Sequence, residues 1–197
     1  MSFVFTPCKI NGLFEIQPKI HGDKRGYFFE CYSERDFNSA GITVRFVQDN
    51  QSRSSKGILR GLHFQKTHAQ GKLVRVLEGE VFDAAVDIRP GSPTYGKWHS
   101  VILSSEKQNQ FYIPPGFAHG FLTLTNHAIF AYKCTDFYYS NDEGGIIWND
   151  PEIGIKWPDI GMDYILSEKD MKLPRFNEEW GPRITPVCRT GRRINAN

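Results

Sequence analysis

The sequence predicts an all-β protein, an antiparallel sandwich or barrel. Two observations lead to this fold class: many short strand-like segments follow one another, and turn residues separate them at short intervals. Few stretches have the spacing of a helix. With 197 residues the chain is long enough for one sizeable core but not comfortably for two independent domains, so we expect a single domain over residues 1–180.

The predicted strands are apolar or alternating runs bounded by Gly, Pro, Asn and Asp, the residues that favour turns. A Glu78-Gly79-Glu80 turn and a Pro114-Pro115-Gly116 turn are examples of these boundaries. The strands cover residues 13–16, 27–30, 44–50, 58–64, 72–77, 81–88, 98–103, 110–113, 119–124 and 128–137. We expect residues 21–26 to form a turn, and the chain to become irregular from Ser140 onward.

Two short peripheral helices are predicted from capping signals. Ser33 is followed three residues later by Asp36, which is the spacing of a helix N-cap with an acidic partner, and Gly41 lies where a glycine ends a helix. Residues 167–172 are the second candidate, because Ser167 and Asp170 repeat the same spacing.

Charge and hydropathy exclude two classes of partner. The net charge of +2 is too small for electrostatic wrapping of nucleic acid, and no window approaches the roughly 18 apolar residues of a membrane span. The arginines near the C-terminus lie among Gly, Pro, Thr and Asn, so residues 181–197 are expected to be a solvated, flexible extension.

The cysteines indicate a reducing compartment. They lie at wide spacings with no CxxC pair, which argues against a zinc knuckle and a dithiol redox motif. They are Cys8, Cys31, Cys134 and Cys188. Reduced thiols and the lack of a basic segment followed by a continuous apolar core at the N-terminus predict a cytoplasmic protein.

Residues 57–72 carry the densest chemistry of the chain. Regular strand alternation predicts that Arg60, Leu62 and Phe64 share one face, while Gly61 and His63 share the other and place His63 in a mostly apolar interior. A lone histidine in a strand is more often a hydrogen-bonded core residue than a catalyst. The surrounding motifs change that balance.

Two of these motifs resemble the cupin superfamily. Residues 114–121 resemble its second motif, PxGxxH, and residues 72–80 resemble the end of its first motif. The resemblance implies a cupin-type double-stranded β-helix, or jelly roll. Metal-binding cupins carry an HxH pair in the first motif, whereas here the pair reads His63-Phe64-Gln65. We therefore predict no metal site.

A larger set of motifs resembles the dTDP-4-dehydrorhamnose 3,5-epimerase family, over roughly residues 3–180. These motifs are residues 25–30, 48–52, 57–65, 70–72, 79–83, 86–89, 113–121 and 132–136. The resemblance implies epimerisation at C3 and C5 of dTDP-4-dehydro-6-deoxy-D-glucose to dTDP-4-dehydro-L-rhamnose, without a metal or organic cofactor. Both carbons lie alpha to the C4 ketone, so each hydrogen can leave as a proton and give an enolate.

The resemblance assigns the catalytic roles. His63 is the base, and Asp170 is its carboxylate partner, although Asp170 also fits a helix cap that satisfies a backbone donor. Lys72 is the group that stabilises the enolate, against the alternative of a solvated lysine at a strand end. Tyr132 is the acid that returns a proton to the opposite face, against the alternative of core packing.

The resemblance also assigns the substrate contacts. Arg25 and Arg60 are the diphosphate candidates, because guanidinium groups bind phosphate bidentately, and the alternative is that both are ordinary surface arginines. Tyr138 corresponds to an aromatic residue that stacks on thymine. The remaining contacts are Glu30, Gln48, Asp49, Asn50, His119, Glu143 and Lys169. Relatives often exchange an N-terminal strand between subunits, so we expect a homodimer.

Two other classes of function stay open at this point. The first is a related sugar-nucleotide enzyme, either a mono-epimerase or a 3,4-ketoisomerase, because such jelly rolls can share a base and a pocket. The second is a non-catalytic cupin that binds a nucleotide sugar. The presence of both His63 and Tyr132 argues against this last hypothesis.

Overall fold

The computed structural model describes residues 2–176, and over that range the chain is mostly β-strand. The strands are β1 (Phe3–Pro7), β2 (Phe14–Pro18), β3 (His21–Asp23), β4 (Gly26–Phe28), β5 (Gln48–Ser55), β6 (Leu59–Gln65), β7 (Lys72–Glu78), β8 (Glu80–Asp87), β9 (Trp98–Ser104), β10 (Gln110–Ile113), β11 (Phe117–Thr123), β12 (His127–Cys134) and β13 (Glu143–Gly145). The helices are α1 (Glu34–Ser39) and α2 (Glu168–Met171). The predicted extension at 181–197 lies outside the described residues.

Two antiparallel sheets form the body of the molecule. The six-stranded sheet has the order β1-β2-β10-β7-β12-β5, and the five-stranded sheet has the order β13-β6-β11-β8-β9. Neighbouring strands within each sheet run antiparallel. This arrangement is the cupin-type jelly roll that the sequence predicts. A separate hairpin of β3 and β4 forms a third, two-stranded sheet.

The main core lies between the two sheets. Val74 and Val76 of β7 are fully buried there, because alternate residues of a strand point to the same face. Phe121 of β11 and Phe130 of β12 stack with their ring centroids 4.3 Å apart, which joins the sheets across the interior. Each such large apolar side chain contributes roughly 1.5–3 kcal/mol by its burial.

The chain after β12 covers the outer face of the five-stranded sheet. Ile146, Ile153 and Phe176 pack there against Leu62 and Ile88. The sequence predicted irregular structure in this region, and β13 is the one named strand in the described part of it. Apolar anchoring of this irregular segment brings α2 against β6.

Both helix caps follow the predicted chemistry. The Ser33 Oγ accepts a hydrogen bond from the Asp36 N–H, and the Ser167 Oγ accepts one from the Asp170 N–H. Gly41 follows α1 with a φ of 86°, a left-handed conformation that glycine adopts without a steric penalty. None of the helices in the described range is long and apolar enough to cross a membrane.

Three predicted boundaries are wrong. The expected turn at 21–26 contains β3 and β4, and β12 ends at Cys134 rather than at residue 137. The strand predicted at 44–50 begins at Gln48 and continues to Ser55. The apolar residues Val44 and Phe46 pack against the cluster around α1 instead, while the polar sequence of β5 suits an edge strand with one exposed face.

Candidate active site

A cavity of about 320 Å³ opens between the two sheets at one end of the jelly roll. Its walls come from β5, β6, β7, β12 and β13 and from the chain that follows β6 and β12. The lining residues are Gln48, Asn50, His63, Phe64, Gln65, Gln70, Lys72, Tyr132, Tyr138 and Glu143. The fold therefore gathers around one space many of the residues that the sequence singled out.

A β-bulge sets the orientation of the central strand. His63 of β6 pairs with His119 of β11, whereas Arg60 pairs with Phe121, so residues 61 and 62 of β6 lie opposite the single residue 120 of β11. Cross-strand partners point to the same side, and so do residues 119 and 121, which places Arg60 and His63 on the inner face together. The expectation that they lie on opposite faces is wrong because the bulge interrupts the alternation.

Gly61 lies at this bulge for a steric reason. Its φ is 106°, and a Cβ atom there would lie 2.6 Å from the His119 carbonyl oxygen and 2.7 Å from the Gly120 Cα. Real Cβ atoms do not approach backbone atoms so closely, so the strand geometry requires glycine. The space that a side chain at residue 61 would fill is thus occupied by the backbone of β11.

His63 forms a short pair with Asp170. The His63 Nε2 lies 2.6 Å from the Asp170 Oδ1, and α2 delivers this carboxylate from 107 residues further along the chain. The helix cap and the pair coexist: the backbone N–H of Asp170 donates to the Ser167 Oγ, while the Asp170 Oδ1 contacts His63.

The environment keeps Asp170 ionised. Burial alone raises its pKa, but hydrogen bonds from His63, Ser167 and the Gly61 N–H, together with the charge of His63, outweigh burial and lower the pKa. An ionised carboxylate fixes the proton of the neutral imidazole on Nε2. The other nitrogen, Nδ1, is then the atom of His63 that can accept a proton.

Lys72 is a partly enclosed cation on the cavity wall. It begins β7, and its ammonium makes no hydrogen bond or ion pair with any residue of the described range. Burial lowers the pKa of Lys72, and its electrostatic interactions with Cys134 and Asp83 offset part of this effect. A ligand oxygen that carries negative charge would restore the lost solvation of the ammonium.

Tyr132 faces the same cavity from β12. Its side chain is half-buried beside the main core, and burial raises the pKa of its hydroxyl. The phenol is therefore protonated at neutral pH and can donate. In the part of the chain that the structure describes, this hydroxyl has no hydrogen-bond partner, so a ligand can provide one.

A second histidine–aspartate pair lies behind the cavity. The His119 Nε2 is 2.9 Å from the Asp83 Oδ2, and both side chains are buried. Burial lowers the pKa of His119, while the charge and the hydrogen bond of Asp83 act in the opposite sense. His119 was expected to contact the substrate, but it is not among the residues that line the cavity. Asp83 was not predicted, although an acidic residue inside the apolar strand β8 is a signal of a buried partner.

The mouth of the cavity carries a polar cluster. Lys169 of α2 forms an ion pair with Glu143, and the Tyr138 hydroxyl also donates to Glu143. Burial tends to raise the pKa of Glu143, but these two hydrogen bonds lower it overall. The Tyr138 N–H donates to the Gln48 Oε1 at 3.1 Å, and Gln48 in turn donates to Asn50.

Three predicted contact residues lie elsewhere in the chain. Arg25 is exposed on the β3–β4 hairpin and pairs with Asp23. Glu30 is exposed just after that hairpin. Asp49 pairs with Lys133 at 2.9 Å and lines a second cavity, of about 380 Å³, on the outer face of the six-stranded sheet. Arg60 does lie on the inner face, where its Nε donates to the Ser54 Oγ at 3.1 Å.

The residues at the cupin metal position do not fit a metal ion. His63 and His119 each use Nε2 on a carboxylate, and the Gln65 side chain is fully engaged with backbone groups. Outside the cavity, Cys8, Glu15 and His99 have potential ligand atoms within 4.8 Å of one another.

Comparison with known proteins supplies independent information. Residues 7–178 match the family model described as dTDP-4-dehydrorhamnose 3,5-epimerase. An enzyme of that name from Methanothermobacter thermautotrophicus is 52% identical over 177 residues, which span 89% of this chain and 96% of the relative. The one from Pseudomonas aeruginosa is 56% identical over 172 residues, covering 87% of this chain and 94% of its own.

A solved structure is similar over nearly the whole fold. It is the dTDP-6-deoxy-D-glucose-3,5-epimerase of Legionella pneumophila Philadelphia 1 in complex with dTDP-4-keto-L-rhamnose. The TM-score is 0.88 at 51% sequence identity, and the match covers 92% of this chain and 98% of that one. The similarity extends over the strands that carry the cavity.

Proposed function

This chain belongs to the dTDP-4-dehydrorhamnose 3,5-epimerase family, and from that premise we propose how its residues invert C3 and C5 of dTDP-4-dehydro-6-deoxy-D-glucose. The observation that carries the proposal is the 2.6 Å contact of His63 with Asp170, beside two cavity groups that have no partner in the described chain, Lys72 and Tyr132. A base, an oxyanion stabiliser and an acid are sufficient for this reaction.

Deprotonation is assigned to His63. Its Nδ1 takes the proton from C3 or C5, and the electron pair of that C–H bond moves into an enolate whose negative charge lies on the C4 oxygen. The imidazolium that forms is stabilised by the ionised Asp170 at Nε2. The same base serves both carbons, because both flank the C4 carbonyl.

Stabilisation of the enolate is assigned to Lys72. An enclosed ammonium without a partner is most effective where negative charge develops, because little solvent screens it. The C4 oxygen gains its negative charge only after deprotonation begins. Lys72 therefore favours the enolate over the ketone, which lowers the barrier to proton removal.

Reprotonation from the opposite face is assigned to Tyr132. Inversion requires that the new proton come from the side that His63 does not occupy, and Tyr132 belongs to the six-stranded sheet, whereas His63 belongs to the five-stranded sheet. The raised pKa of Tyr132 keeps the hydroxyl protonated until the carbanion takes its proton.

Binding of the nucleotide is assigned to Arg60 and the mouth of the cavity. Arg60 shares the inner face with His63, so its guanidinium can hold the diphosphate near the reacting sugar. Tyr138 is 52% exposed at the mouth and offers an aromatic face for the thymine. Gln48, Asn50, Glu143 and Lys169 supply the polar groups around it.

We propose that the functional form is a homodimer in which the β3–β4 hairpin reaches the partner subunit. Tyr27 and Phe28 are 64% and 70% exposed on this hairpin, an unusual position for aromatic residues in a monomer. A hairpin that docks on a second copy would bury them and carry Arg25 and Glu30 toward the partner's cavity. This arrangement would account for the distance of both residues from the cavity of their own chain.

Heterodimers test the exchange of Arg25. Arg25→Ala and His63→Ala chains with different affinity tags are co-expressed, and the mixed dimer is purified on both tags. If Arg25 acts in the partner's cavity, one of the two sites is intact, and the dimer keeps about half of the wild-type activity. An inactive heterodimer would show that Arg25 does not act across the interface.

A reducing compartment suits the thiols of this chain. Cys8, Cys31 and Cys134 are free cysteines, and Cys134 is buried next to the cavity wall. Disulfides form and persist in oxidising compartments, so free thiols are compatible with the cytoplasm. We propose a cytoplasmic location, which localisation of a tagged full-length chain would test.

The reaction itself is tested in deuterium oxide. The purified protein is incubated with dTDP-4-dehydro-6-deoxy-D-glucose, and NMR reads both the isotope content and the configuration at C3 and C5. We expect deuterium at both carbons and the L-rhamno product. Exchange at one carbon alone would indicate a mono-epimerase, and tight binding without exchange would contradict an enzymatic function.

A further inference from the structure

Gln65 ties together the two loops that form the rim of the cavity, which we define as residues 66–71 and 135–142. The side chain is 5% exposed at the end of β6. Its Nε2 donates to the His68 carbonyl at 2.8 Å and to the Phe137 carbonyl at 3.1 Å, and its Oε1 accepts from the Tyr139 N–H at 2.6 Å. One buried amide thus binds both rim loops.

The pattern of donors and acceptors requires an amide. Two of the partners are carbonyl oxygens and one is an N–H group, so the side chain must donate twice and accept once. A neutral histidine donates once and accepts once, and an ionised glutamate only accepts. Among side chains of this length, glutamine alone satisfies all three buried backbone groups.

The hydrogen bonds of Gln65 lie on both sides of Tyr138, the aromatic residue at the mouth. Phe137 and Tyr139 are the chain neighbours of Tyr138, so Gln65 fixes the backbone on both sides of it. Tyr138 itself is 52% exposed, and packing around its own ring therefore does little to hold it. Two further hydrogen bonds position Tyr138: its N–H donates to Gln48 and its hydroxyl donates to Glu143.

Other contacts also join the rim loops, among them hydrogen bonds from Gln70 to the Asp136 carbonyl at 2.8 Å and from the Gly71 N–H to the Thr135 Oγ1 at 2.7 Å. Asp142 accepts from the N–H groups of Thr67 and His68, and the His68 ring stacks on Tyr139 with the centroids 4.1 Å apart. Removal of one partner from a buried hydrogen bond leaves the other group unsatisfied. Of these contacts, the amide of Gln65 binds the backbone on both sides of Tyr138, so its loss displaces that residue most.

We propose that Gln65 is a positioning residue that sets Tyr138 for the base of the bound nucleotide. The inference rests on the proposed function only in taking a thymidine nucleotide as the ligand. Gln65 acts at the mouth and not on the reacting carbons. Its loss therefore weakens nucleotide binding and leaves the chemical step intact, a separation of KM from kcat that a purely structural role does not produce.

The first experiment compares Gln65→Ala, Gln65→His and Gln65→Glu with the wild type. We expect each variant to raise KM and the Kd for dTDP by about tenfold or more, with kcat within a few-fold of the wild type. Glutamate preserves the side-chain length and the acceptor, so Gln65→Glu remains informative if the alanine variant does not fold. Unchanged dTDP affinity in a folded variant would overturn the proposal.

A double-mutant cycle with Tyr138→Ala gives the sharper test. If Gln65 acts through Tyr138, the substitution Gln65→Ala changes the Kd for dTDP much less in the Tyr138→Ala background than in the wild type. Additive losses would overturn the proposal. Binding of dTDP involves no chemical step, so this cycle gives its answer independently of whether the proposed epimerisation is observed.

Gln110→Ala is the matched control. Gln110 is fully buried in β10, and its Nε2 donates to the Cys31 carbonyl at 2.9 Å, which belongs to neither rim loop. We expect this variant to lose thermal stability while it keeps its affinity for dTDP. If Gln110→Ala weakens dTDP binding as much as Gln65→Ala does, the effect reflects general destabilisation and the positioning role is rejected.

Discussion

Two histidine–aspartate pairs lie side by side in this jelly roll, and they differ in access to the cavity. His63 and His119 are direct partners across β6 and β11, and each contacts a carboxylate within 3 Å. The His63 side chain is 37% exposed and lines the cavity, whereas that of His119 is 8% exposed behind it. The comparison teaches that a histidine–aspartate pair alone does not identify a candidate base; the histidine must also be exposed to the cavity.

The largest expected difference between the pairs is in turnover. His63→Ala should lower kcat on the order of 10²- to 10⁴-fold, the usual contribution of a positioned general base, and abolish deuterium exchange. His127→Ala is the matched control, because His127 also binds a carboxylate, Glu78 at 2.6 Å, but on the exposed surface. Steady-state kinetics measures both. Near-normal turnover of His63→Ala would show that the cavity-exposed pair, like the buried pair, does not act as the base.

Asp170→Asn tests the partner of the accessible pair. Loss of a charge-assisted hydrogen bond of about 1.5–3 kcal/mol corresponds to a rate loss of roughly 10- to 150-fold. The amide also favours the wrong tautomer of His63, which acts in the same direction. The measurement is kcat at neutral pH, with circular dichroism as the check of folding. A variant as active as the wild type would show that His63 works without this carboxylate.

Asp83→Ala tests the buried pair through stability. It leaves the buried His119 ring without its partner, and we expect a loss of about 1–3 kcal/mol in the free energy of unfolding by urea. Asp170→Ala should lose less, because the partly exposed His63 can turn to water. A larger loss in Asp170→Ala than in Asp83→Ala would reverse the assignment of the buried and the accessible pair.

The smallest expected effect is in the pH dependence of stability. The pKa of His119 is lowered in the folded state because burial disfavours the imidazolium, against the pull of Asp83; Lys72 and His63 also face it and disfavour its charge. The unfolded chain therefore binds the proton more readily, and stability falls as the pH drops below about 6.5 toward the folded-state pKa.

His119→Asn isolates this contribution. The variant lacks the titrating ring, so its free energy of unfolding should change less between pH 7 and pH 5 than that of the wild type, by about 1.4 kcal/mol for each unit of pKa shift. Urea unfolding at the two pH values gives the comparison. Equal slopes would mean that another group is responsible for the pH dependence.

The sequence was sufficient for the fold class, and it named His63, Lys72 and Tyr132, which line one cavity. Turn residues at short intervals predicted the antiparallel strands, and the spacing of Ser33 and Ser167 predicted both helix caps. The boundaries were less accurate. The residues of β5 are polar, so the sequence pattern did not give the bounds of this strand correctly. Its outer face at the sheet edge needs no apolar side chains.

The orientation of residues within the site could not be predicted. The bulge at Gly61 places Arg60 beside His63 on the inner face, contrary to simple alternation. His119 matched a motif yet is buried against Asp83. Neither outcome can be read from β6 or β11 alone, because each depends on which strand lies next to it.

The sequence by itself determined the chemistry available: a histidine, a lysine, a tyrosine and an aspartate in motifs of one family, on short antiparallel strands. Only the tertiary structure decided which of these groups meet. His63 and Asp170 are 107 positions apart in the sequence, and the packing of residues 146–176 on the five-stranded sheet brings them together. Local patterns report the conformation of a few neighbouring residues, whereas burial, pKa and partner choice follow from the segments that pack there.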